Sequence, residues 1–398
     1  MGGNISSATG VINGFIADGY QVDIVSDSFI PTLTKIDNNL KTIFYPFRIL
    51  RSIIPYRIKG FLGRITLKID SIFFQIVMKY RVMSLLKYNQ YNFVYMRASF
   101  NGHAIVGPLK KFSIPLVLEV NKPLSMGVYN NDDAHNWPDE GTRIKVPRSE
   151  KLQYDAATLI TVDSSIRAKW ITDFVGNLYN QKMIINPNGV DVNMFCPSEV
   201  DQKLRLSFGV KDTEILVGMA SSFRWYNDIN EMCQIFKAIV KQNDSIKFLI
   251  ITGDAEKKVE ISNLIVSHGI EQNVKILLQI PFDRMPQHLN CCDILISHFN
   301  FHGKWPHNCS IKHLEYLSMG KPTVATDVGE VNFAVEHNIN GLLTGEGDVN
   351  GFVDAVLSLA SDRNLRIKFG VAGRKKAVNC LTWKQNTAKI ISGLNGGK

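Results

Sequence analysis

Residues 308–328 read N-C-S-I-K-H-L-E-Y-L-S-M-G-K-P-T-V-A-T-D-V, and this stretch decides how the chain is expected to fold. Ser310 stands where a helix N-cap is expected, Gly320 ends the helix, and Pro322 prevents it from continuing. The β-branched run at 323–326 then predicts a short buried strand. A helix followed at once by a buried strand indicates an α/β protein.

The predicted helix has two different faces. At about 100° per residue, one apolar face collects Ile311, Leu314 and Leu317. The other face collects Lys312, Glu315, Tyr316 and Met319. If that face and the helix N-terminus point into a crevice, the backbone N–H groups hold phosphate and the carboxylate holds hydroxyl groups. The alternative is a surface helix with a solvated Lys/Glu pair, and these residues alone do not decide between the two.

The composition describes a globular protein with more than one core. A chain of 398 residues exceeds what one hydrophobic core usually covers, so two domains are expected. Hydrophobic residues make up 45% and charged residues 20%, which excludes a disordered or fibrous chain. No apolar run reaches the roughly 18 residues that span a bilayer, and no signal-peptide pattern is present.

The net charge indicates the kind of binding partner, and the cysteine content indicates the cellular compartment. The net charge of +9 favours an anionic partner, and the absence of a nucleic-acid-binding motif leaves a nucleotide or a membrane surface. The six cysteines form no C-x-x-C pair and no zinc spacing, which is typical of thiols in a reducing compartment. We therefore expect a cytoplasmic protein, either free or peripheral on the membrane.

Two runs carry a resemblance to a known family. K-x-x-E-Y-x-x-x-G-K-P-x-V-A-T-D begins at Lys312, and P-N-G-V-D-x-x-x-F occupies residues 187–195. Both resemble the retaining GT-B glycosyltransferases of glycosyltransferase family 4, the glycosyl transferases group 1. The resemblance covers residues 2–393. It implies an α/β fold of two Rossmann-like, doubly wound parallel-sheet domains facing across a cleft, and the alternation of predicted strands and helices suits such sheets.

The resemblance implies three segments. Residues 1–196 would form the acceptor-side domain, residues 197–380 the donor-binding domain, and residues 381–398 a helix that crosses back to the first domain. The family's first β-strand normally precedes the loop at Gly2, and this sequence has no residues for it. We therefore expect the first strand to be missing, through truncation of the sequence or through a sheet that lacks its central strand.

A nucleotide-sugar donor site follows from the same resemblance. Glu315 matches the glutamate that binds the ribose, Arg224 matches an arginine that neutralises the diphosphate, and Lys312 is a second cation at that crevice. These three residues are the predicted catalytic set. The donor-binding set adds glycines and groups at the start of the helix: Gly2, Gly3, Ser310 and Ile311. Taken alone, the two glycines also fit a simple turn.

Two positions depart from the family pattern. Asn227 stands where the family has a lysine, so one cation is lost from the diphosphate site unless Lys312 or main-chain N–H groups compensate. His307 stands where many members have the first of two glutamates. We place both residues in the predicted donor site, while a purely structural role for His307 stays open.

Polar residues also follow two predicted strands of the first domain. Arg97 and Ser99 follow one strand, and Glu119 and Asn121 lie at the end of the next. Ligands of open α/β sheets bind at the carboxyl ends of the strands, so these residues are candidates for the acceptor or sugar site. The alternative for each is an ordinary capping or loop hydrogen bond.

Residues 48–87 are rich in basic and aromatic side chains, and Asp70 is the only acidic residue among them. One interpretation is a basic amphipathic surface on an anionic membrane, which brings the protein to a lipid-linked acceptor. The other is a pair of core helices with solvated basic faces.

The predicted function is transfer of a hexose from a nucleoside diphosphate sugar to an acceptor hydroxyl with retention, in glycan, polysaccharide or glycolipid synthesis. No cofactor or metal is expected, because no carboxylate pair has metal spacing and cations already serve the phosphate. Two alternatives remain: a catalytically degenerate nucleotide-sugar-binding partner subunit, and a GT-B sugar-nucleotide epimerase.

Overall fold

The computed structural model describes residues 3–26, 40–44, 61–125, 145–224, 226–301 and 310–396. It is an α/β structure with parallel sheets in two compact units. The N-terminal unit comprises Ile12–Pro187 and Thr387–Lys398, and the C-terminal unit comprises Asn188–Asn386 and Met1–Val11. In the described part of the chain, no helix combines the length and the apolar character needed to cross a bilayer.

The N-terminal unit contains two separate parallel sheets. The strands are β1 (Val22–Ser26), β2 (Leu40–Phe44), β3 (Val94–Arg97), β4 (Leu116–Val120), β5 (Leu159–Val162) and β6 (Met183–Ile185). β1 pairs with β2, while β3 to β6 form a sheet in sequence order. Among the described residues no strand joins the two sheets, whereas side chains do: the Tyr91 hydroxyl donates a hydrogen bond to Asp23 over 2.6 Å. The expected absence of a first strand stays a prediction.

Helices of the N-terminal unit cover the four-stranded sheet. They are α1 (Gly3–Ala17), α2 (Phe61–Tyr88), α3 (Val106–Lys111), α4 (Arg148–Ala156) and α5 (Ser165–Trp170). Val82 and Leu86 of α2 are buried in one cluster with Leu109 of α3 and Leu118 of β4. One side of α2 is therefore a core face, as the second interpretation of residues 48–87 expects.

The C-terminal unit is built on one six-stranded parallel sheet. Its strands are β7 (Ile215–Ala220), β8 (Ile246–Thr252), β9 (Val274–Leu278), β10 (Ile294–Ser297), β11 (Thr323–Thr326) and β12 (Gly341–Thr344), in the order β12-β11-β10-β7-β8-β9. Side chains of a strand alternate between the faces. Phe248 and Ile250 therefore enter one core cluster, and Leu249 and Ile251 enter the other. Both faces are buried, as parallel sheets require.

Helices lie on both faces of this sheet. They are α6 (Gln202–Ser207), α7 (Ile229–Gln242), α8 (Ala255–His268), α9 (Met285–Asn290), α10 (Ile311–Ser318), α11 (Val331–Ala334), α12 (Val349–Ser361) and α13 (Arg363–Cys380). The last helix, α14 (Trp383–Gly396), has most of its residues in the N-terminal unit. Helices α1 and α14 are each divided between the units. The domain limits predicted at residues 196 and 380 stay a prediction.

Candidate functional site: a half-buried Lys/Glu pair at the carboxyl edge of the six-stranded sheet

Helix α10 begins and ends as the sequence predicts. Gly320 follows its last turn with φ of +65°, a left-handed conformation that favours glycine, and the Lys321 N–H closes the turn onto the Tyr316 carbonyl. Ser310 occupies the N-cap position, but its side chain makes no capping hydrogen bond. The start of the helix is stabilised instead by the His313 N–H, which donates to the Ser310 carbonyl over 3.0 Å.

Tyr316 and Met319, which helical periodicity puts on the same side of α10 as Lys312 and Glu315, do not line an open surface. Both side chains are buried in the core. The Tyr316 hydroxyl accepts a hydrogen bond of 3.0 Å from the Ala220 N–H at the end of β7. Helix α13 packs against α10 through Gly373, whose backbone lies close to Leu317. Neighbours on several sides therefore bury most of α10.

Lys312 and Glu315 are the charged residues that α10 leaves half-buried. The Lys312 ammonium lies 5.0 Å from the centroid of the Phe299 ring, which supplies a cation–π contact. Within the described ranges, the Glu315 carboxylate makes no hydrogen bond or ion pair. A half-buried carboxylate without such a partner is a group that a ligand's hydroxyls can satisfy.

Burial perturbs the titration of both groups. It raises the pKa of the Glu315 carboxyl to about 7, with the Lys312 charge acting in the opposite direction. It lowers the pKa of Lys312 to about 8, with Glu315 acting in the opposite direction. Burial, assisted by the charge of Lys312, also lowers the pKa of His313 to about 3, so that imidazole is neutral at pH 7.

The loop after β7 has an unusual backbone that sequence patterns did not indicate. Phe223 is buried and has φ of +47°, which is uncommon for a bulky side chain. Asn227 Oδ1 accepts a 3.1 Å hydrogen bond from the Arg224 N–H and another from the Ser221 hydroxyl. Asn227 is itself buried, so within the chain it shapes the loop that carries the exposed Arg224. Its predicted contact with the donor stays a prediction.

A series of contacts joins this loop to α10. Asn227 Nδ2 donates to the His298 carbonyl over 3.0 Å, which ties the loop to the segment after β10. Next to it, the Tyr226 ring packs edge-on against Phe299, with 5.6 Å between centroids, and Phe299 carries the Lys312 contact. The structure therefore brings the loop of Arg224 and the Lys312/Glu315 pair to the same edge of the sheet.

Buried polar residues hold the segment after β10, and the sequence analysis missed them. The His298 imidazole lies 3.0 Å from a carboxylate oxygen of Glu231 in α7. Asn300 donates a side-chain hydrogen bond to the second oxygen of Glu231. These residues lie far apart in sequence and match no compact motif, so no local signal pointed to them.

Of the remaining residues predicted for the donor site, the structure describes some and not others. Gly3 is the first residue of α1, and Ile311 is the half-buried first residue of α10. Gly2 and His307 lie outside the described residues.

The acceptor candidates of the N-terminal unit are engaged within that unit. Arg97 and Glu119 occupy paired positions of β3 and β4 and form an ion pair of 2.5 Å. The Ser99 N–H and carbonyl bond to the side chain of Gln153 over 3.2 and 2.8 Å. Asn121 is half-buried just after β4.

Asp163 and Arg167 extend this polar edge, and the sequence analysis did not single them out. Asp163 follows β5, is buried, and pairs with Arg167 one helical turn later. Burial raises the pKa of the Asp163 carboxyl, Arg167 opposes that rise, and the charge of Glu119 adds to it. The charge of Glu119 therefore acts on Asp163 at the carboxyl ends of neighbouring strands. In the residues that the structure covers, no cluster of His, Cys, Asp and Glu has a metal-binding arrangement.

These features lie in a stretch of chain that matches a known family. Residues 200–376 match the family model Glycosyl transferases group 1. The matched range contains Arg224, Asn227, Lys312 and Glu315. This part of the chain is a glycosyl transferases group 1 domain.

Curated relatives align with about half of the chain. N-acetyl-alpha-D-glucosaminyl L-malate synthase from Bacillus anthracis is 25% identical over 190 residues, which are 47% of this chain and 47% of the relative. A GDP-mannose-dependent alpha-(1-6)-phosphatidylinositol monomannoside mannosyltransferase from Mycobacterium tuberculosis is 23% identical over 53% of this chain and 55% of its own length. The chain therefore spans about half the length of these relatives.

Solved structures match the whole chain and fix the fold. The crystal structure of Anabaena Alr3699/HepE in complex with UDP and glucose superposes with a TM-score of 0.71, covering 99% of this chain and 96% of that one at 18% identity. The predicted fold class, GT-B with parallel sheets in two domains, is confirmed.

The perturbed carboxyl gives a prediction about stability. The folded-state pKa of Glu315 lies above its unfolded value of about 4.5, so the folded protein binds more protons between these values and loses stability as the pH rises from about 4.5 to about 7. We expect Glu315→Gln to raise the free energy of unfolding by about 2 kcal/mol at pH 8 and to match wild type at pH 4.5. Urea unfolding at both pH values measures this difference.

Glu271→Gln, at an exposed loop carboxylate, is the matched control and should leave both values unchanged. A Glu315→Gln variant that is equally stable or less stable than wild type at pH 8 would contradict the burial account.

Proposed function

We propose that the chain is a glycosyltransferase that moves a hexose from a nucleoside diphosphate sugar to an acceptor hydroxyl and retains the anomeric configuration. The main support for this proposal is the half-buried Glu315 carboxylate, which has no hydrogen-bond partner among the described residues. Arg224 and Lys312 lie at the same edge of the sheet. Carboxylates accept hydrogen bonds from ribose hydroxyls, and the two cations suit a diphosphate.

The two cations act on the leaving group. When the glycosidic bond to the donor breaks, negative charge develops on the diphosphate, and positive groups held in place lower the energy of that state. Arg224 is exposed and offers a planar fork to phosphate oxygens. Lys312 is half-buried, so its charge is screened less than that of a surface lysine and acts more strongly at short range. Bound diphosphate would raise the lowered pKa of Lys312 and keep it charged.

Further donor contacts are proposed for Gly2, Gly3, Asn227, His307, Ser310 and Ile311. The names of the similar proteins do not decide which base and which sugar the donor carries. One relative is described as GDP-mannose-dependent, whereas HepE was crystallised with UDP and glucose. The proposal therefore needs a test that samples several bases.

For the acceptor we propose a glycan or lipid-linked hydroxyl compound bound near Arg97, Ser99, Glu119 and Asn121. A relative's name gives phosphatidylinositol monomannoside as acceptor, which is a glycolipid. A lipid-linked acceptor would place the protein at the cytoplasmic side of a membrane, with the basic residues 48–87 towards anionic lipids.

A second candidate function is a catalytically degenerate partner subunit that only binds the nucleotide sugar. Asn227 favours a degenerate subunit, because its buried side-chain amide supplies no positive charge at the position where the family that the sequence resembles has a lysine. Such a subunit would bind the donor without releasing the diphosphate.

Nucleotide binding can be measured by thermal unfolding with UDP, GDP, ADP and their sugars. We expect one diphosphate to raise the midpoint of wild type, since a ligand at about 100 times its dissociation constant adds about 2.7 kcal/mol to the folded state. Glu315→Ala should lose most of that shift, and Arg224→Ala should reduce it. Glu271→Ala serves as the matched control and should keep the full shift. The donor site is wrong if no diphosphate shifts folded wild type, or if Glu315→Ala responds like wild type.

The enzyme should still release nucleoside diphosphate from the nucleotide sugar that it binds when EDTA is present, because Arg224 and Lys312 supply the positive charge that stabilises the leaving diphosphate. Arg224→Ala should slow the release at least about tenfold. The rate is measured with a coupled diphosphate assay, with and without an acceptor. Loss of activity in EDTA with recovery in Mg²⁺ or Mn²⁺ would refute the proposed independence of metal, and binding without any release would favour the degenerate subunit.

A further inference from the structure

Residues 298–301 directly follow β10, and we call them the β10 extension. Their side chains point alternately to the two faces of the six-stranded sheet, as they do in a strand. His298 lies edge-on to the ring of Phe352 in α12, with 5.6 Å between the ring centroids. Phe299 and Phe301 belong instead to the core cluster on the α10 side of the sheet. The β10 extension therefore contacts helices on both faces.

A single carboxylate holds the β10 extension from the α7 side. One oxygen of Glu231 lies 3.0 Å from His298 Nε2, and the other accepts a hydrogen bond from the side-chain amide of Asn300. Because an ionised carboxylate only accepts hydrogen bonds, His298 is assigned a hydrogen on Nε2, which it donates to Glu231. Two donors spaced two residues apart are thus fixed towards the same helix.

Phe299 lies between these two donors in the chain. Since side chains of an extended segment alternate, holding His298 and Asn300 towards α7 directs Phe299 towards α10. There its ring centroid lies 5.0 Å from the Lys312 ammonium. The main chain is fixed at the same point, because the Phe299 N–H donates to the Thr326 hydroxyl oxygen over 3.1 Å. The ring that holds Lys312 therefore depends on contacts made on the opposite face of the sheet.

We propose that Glu231 is a positioning residue of the donor site, which holds the Phe299 ring against the Lys312 ammonium by way of His298 and Asn300. This role rests on the proposed function, in which Lys312 stabilises the leaving diphosphate. Without the Glu231 carboxylate, both donors lose their acceptor and the ring loses its fixed direction. The ammonium is then no longer held where a diphosphate needs it, and a charge that must first be moved into place stabilises the leaving group less.

Two substitutions separate this role from an effect of the Glu231 charge itself. Glu231→Ala removes both hydrogen bonds and the charge. Glu231→Gln removes the charge alone, because its amide oxygen can accept from Asn300 while its amide N–H donates to Nε2 of the other neutral tautomer of His298. Glu214→Ala is the matched control. The Glu214 side chain is 13% exposed against 14% for Glu231, lies in the same unit, and accepts a hydrogen bond from the Lys211 N–H.

The first measurement is NMR of the full chain without nucleotide, with lysine carrying carbon-13 at Cε. Loss of one signal in Lys312→Arg assigns the Lys312 signal, and Phe299→Leu gives its position without the ring current of the aromatic side chain. We expect Glu231→Ala to move the signal most of the way to that position. Glu231→Gln and Glu214→Ala should leave it close to the wild-type position, and urea midpoints show whether each variant is folded.

The second measurement is the dissociation constant of whichever of UDP, GDP and ADP binds wild type most tightly. We expect Glu231→Ala to weaken binding about tenfold, as for the loss of one hydrogen bond to a charged group. Glu231→Gln should restore most of the affinity, and Glu214→Ala should match wild type. In a Phe299→Leu background, Glu231→Ala should have little further effect, because residues that act through one another are not additive.

The proposal fails if Glu231→Ala leaves the Lys312 signal or the nucleotide affinity unchanged, or if Glu214→Ala changes them equally. It also fails if Glu231→Gln behaves like Glu231→Ala, since the charge and not the hydrogen bonds would then be responsible. If the Lys312 signal moves as expected but no diphosphate binds folded wild type, the proposed function is wrong and the hold of Glu231 on Lys312 stands.

Discussion

The proposed donor site depends on Lys312 and Glu315 staying half-buried while the Glu315 carboxylate has no hydrogen bond from any residue that the structure describes. Elsewhere the same chain buries Glu150 and satisfies it fully, through the N–H groups of Leu124 and Ser125 and the hydroxyl of Tyr154. Burial without such partners costs stability, which the pKa of Glu315 near 7 reflects. Proteins keep costly groups of this kind at sites where a ligand supplies the missing partners.

The rigid surroundings of the pair explain how that cost is sustained. Tyr316, the next residue after Glu315, is fixed to β7 by its hydrogen bond with Ala220, so α10 cannot rotate to release the carboxylate into water. Phe299 carries the Lys312 ammonium on its ring, and the loop of Arg224 is tied to the same segment through Asn227. Side chains held in this way need little reorganisation when charge develops on a ligand.

Much of this architecture was predictable from local sequence patterns. Hydrophobic periodicity predicts the strands and helices, and capping and turn residues such as glycine and proline predict where they end. The strand at 323–326 and the helix that ends at Gly320 match the structure. The burial of Tyr316 was not predictable, since periodicity gives the direction of a side chain but not how many layers cover it. Residues such as Phe223 and Asp163 were missed because their significance lies in backbone conformation and in pairing across strands, which no short motif records.

We propose that the Glu315 carboxylate accepts hydrogen bonds from the hydroxyls of a nucleotide, and proton exchange on nucleotide binding tests this role most directly. Isothermal titration of the binding nucleoside diphosphate near pH 7, in buffers of different ionisation enthalpy, measures the protons released. Hydroxyl donors favour the ionised carboxylate, so wild type should release on the order of half a proton more than Glu315→Gln, while the proton of the diphosphate itself is common to both. Equal proton release by the two proteins, with equal affinity, would contradict the account.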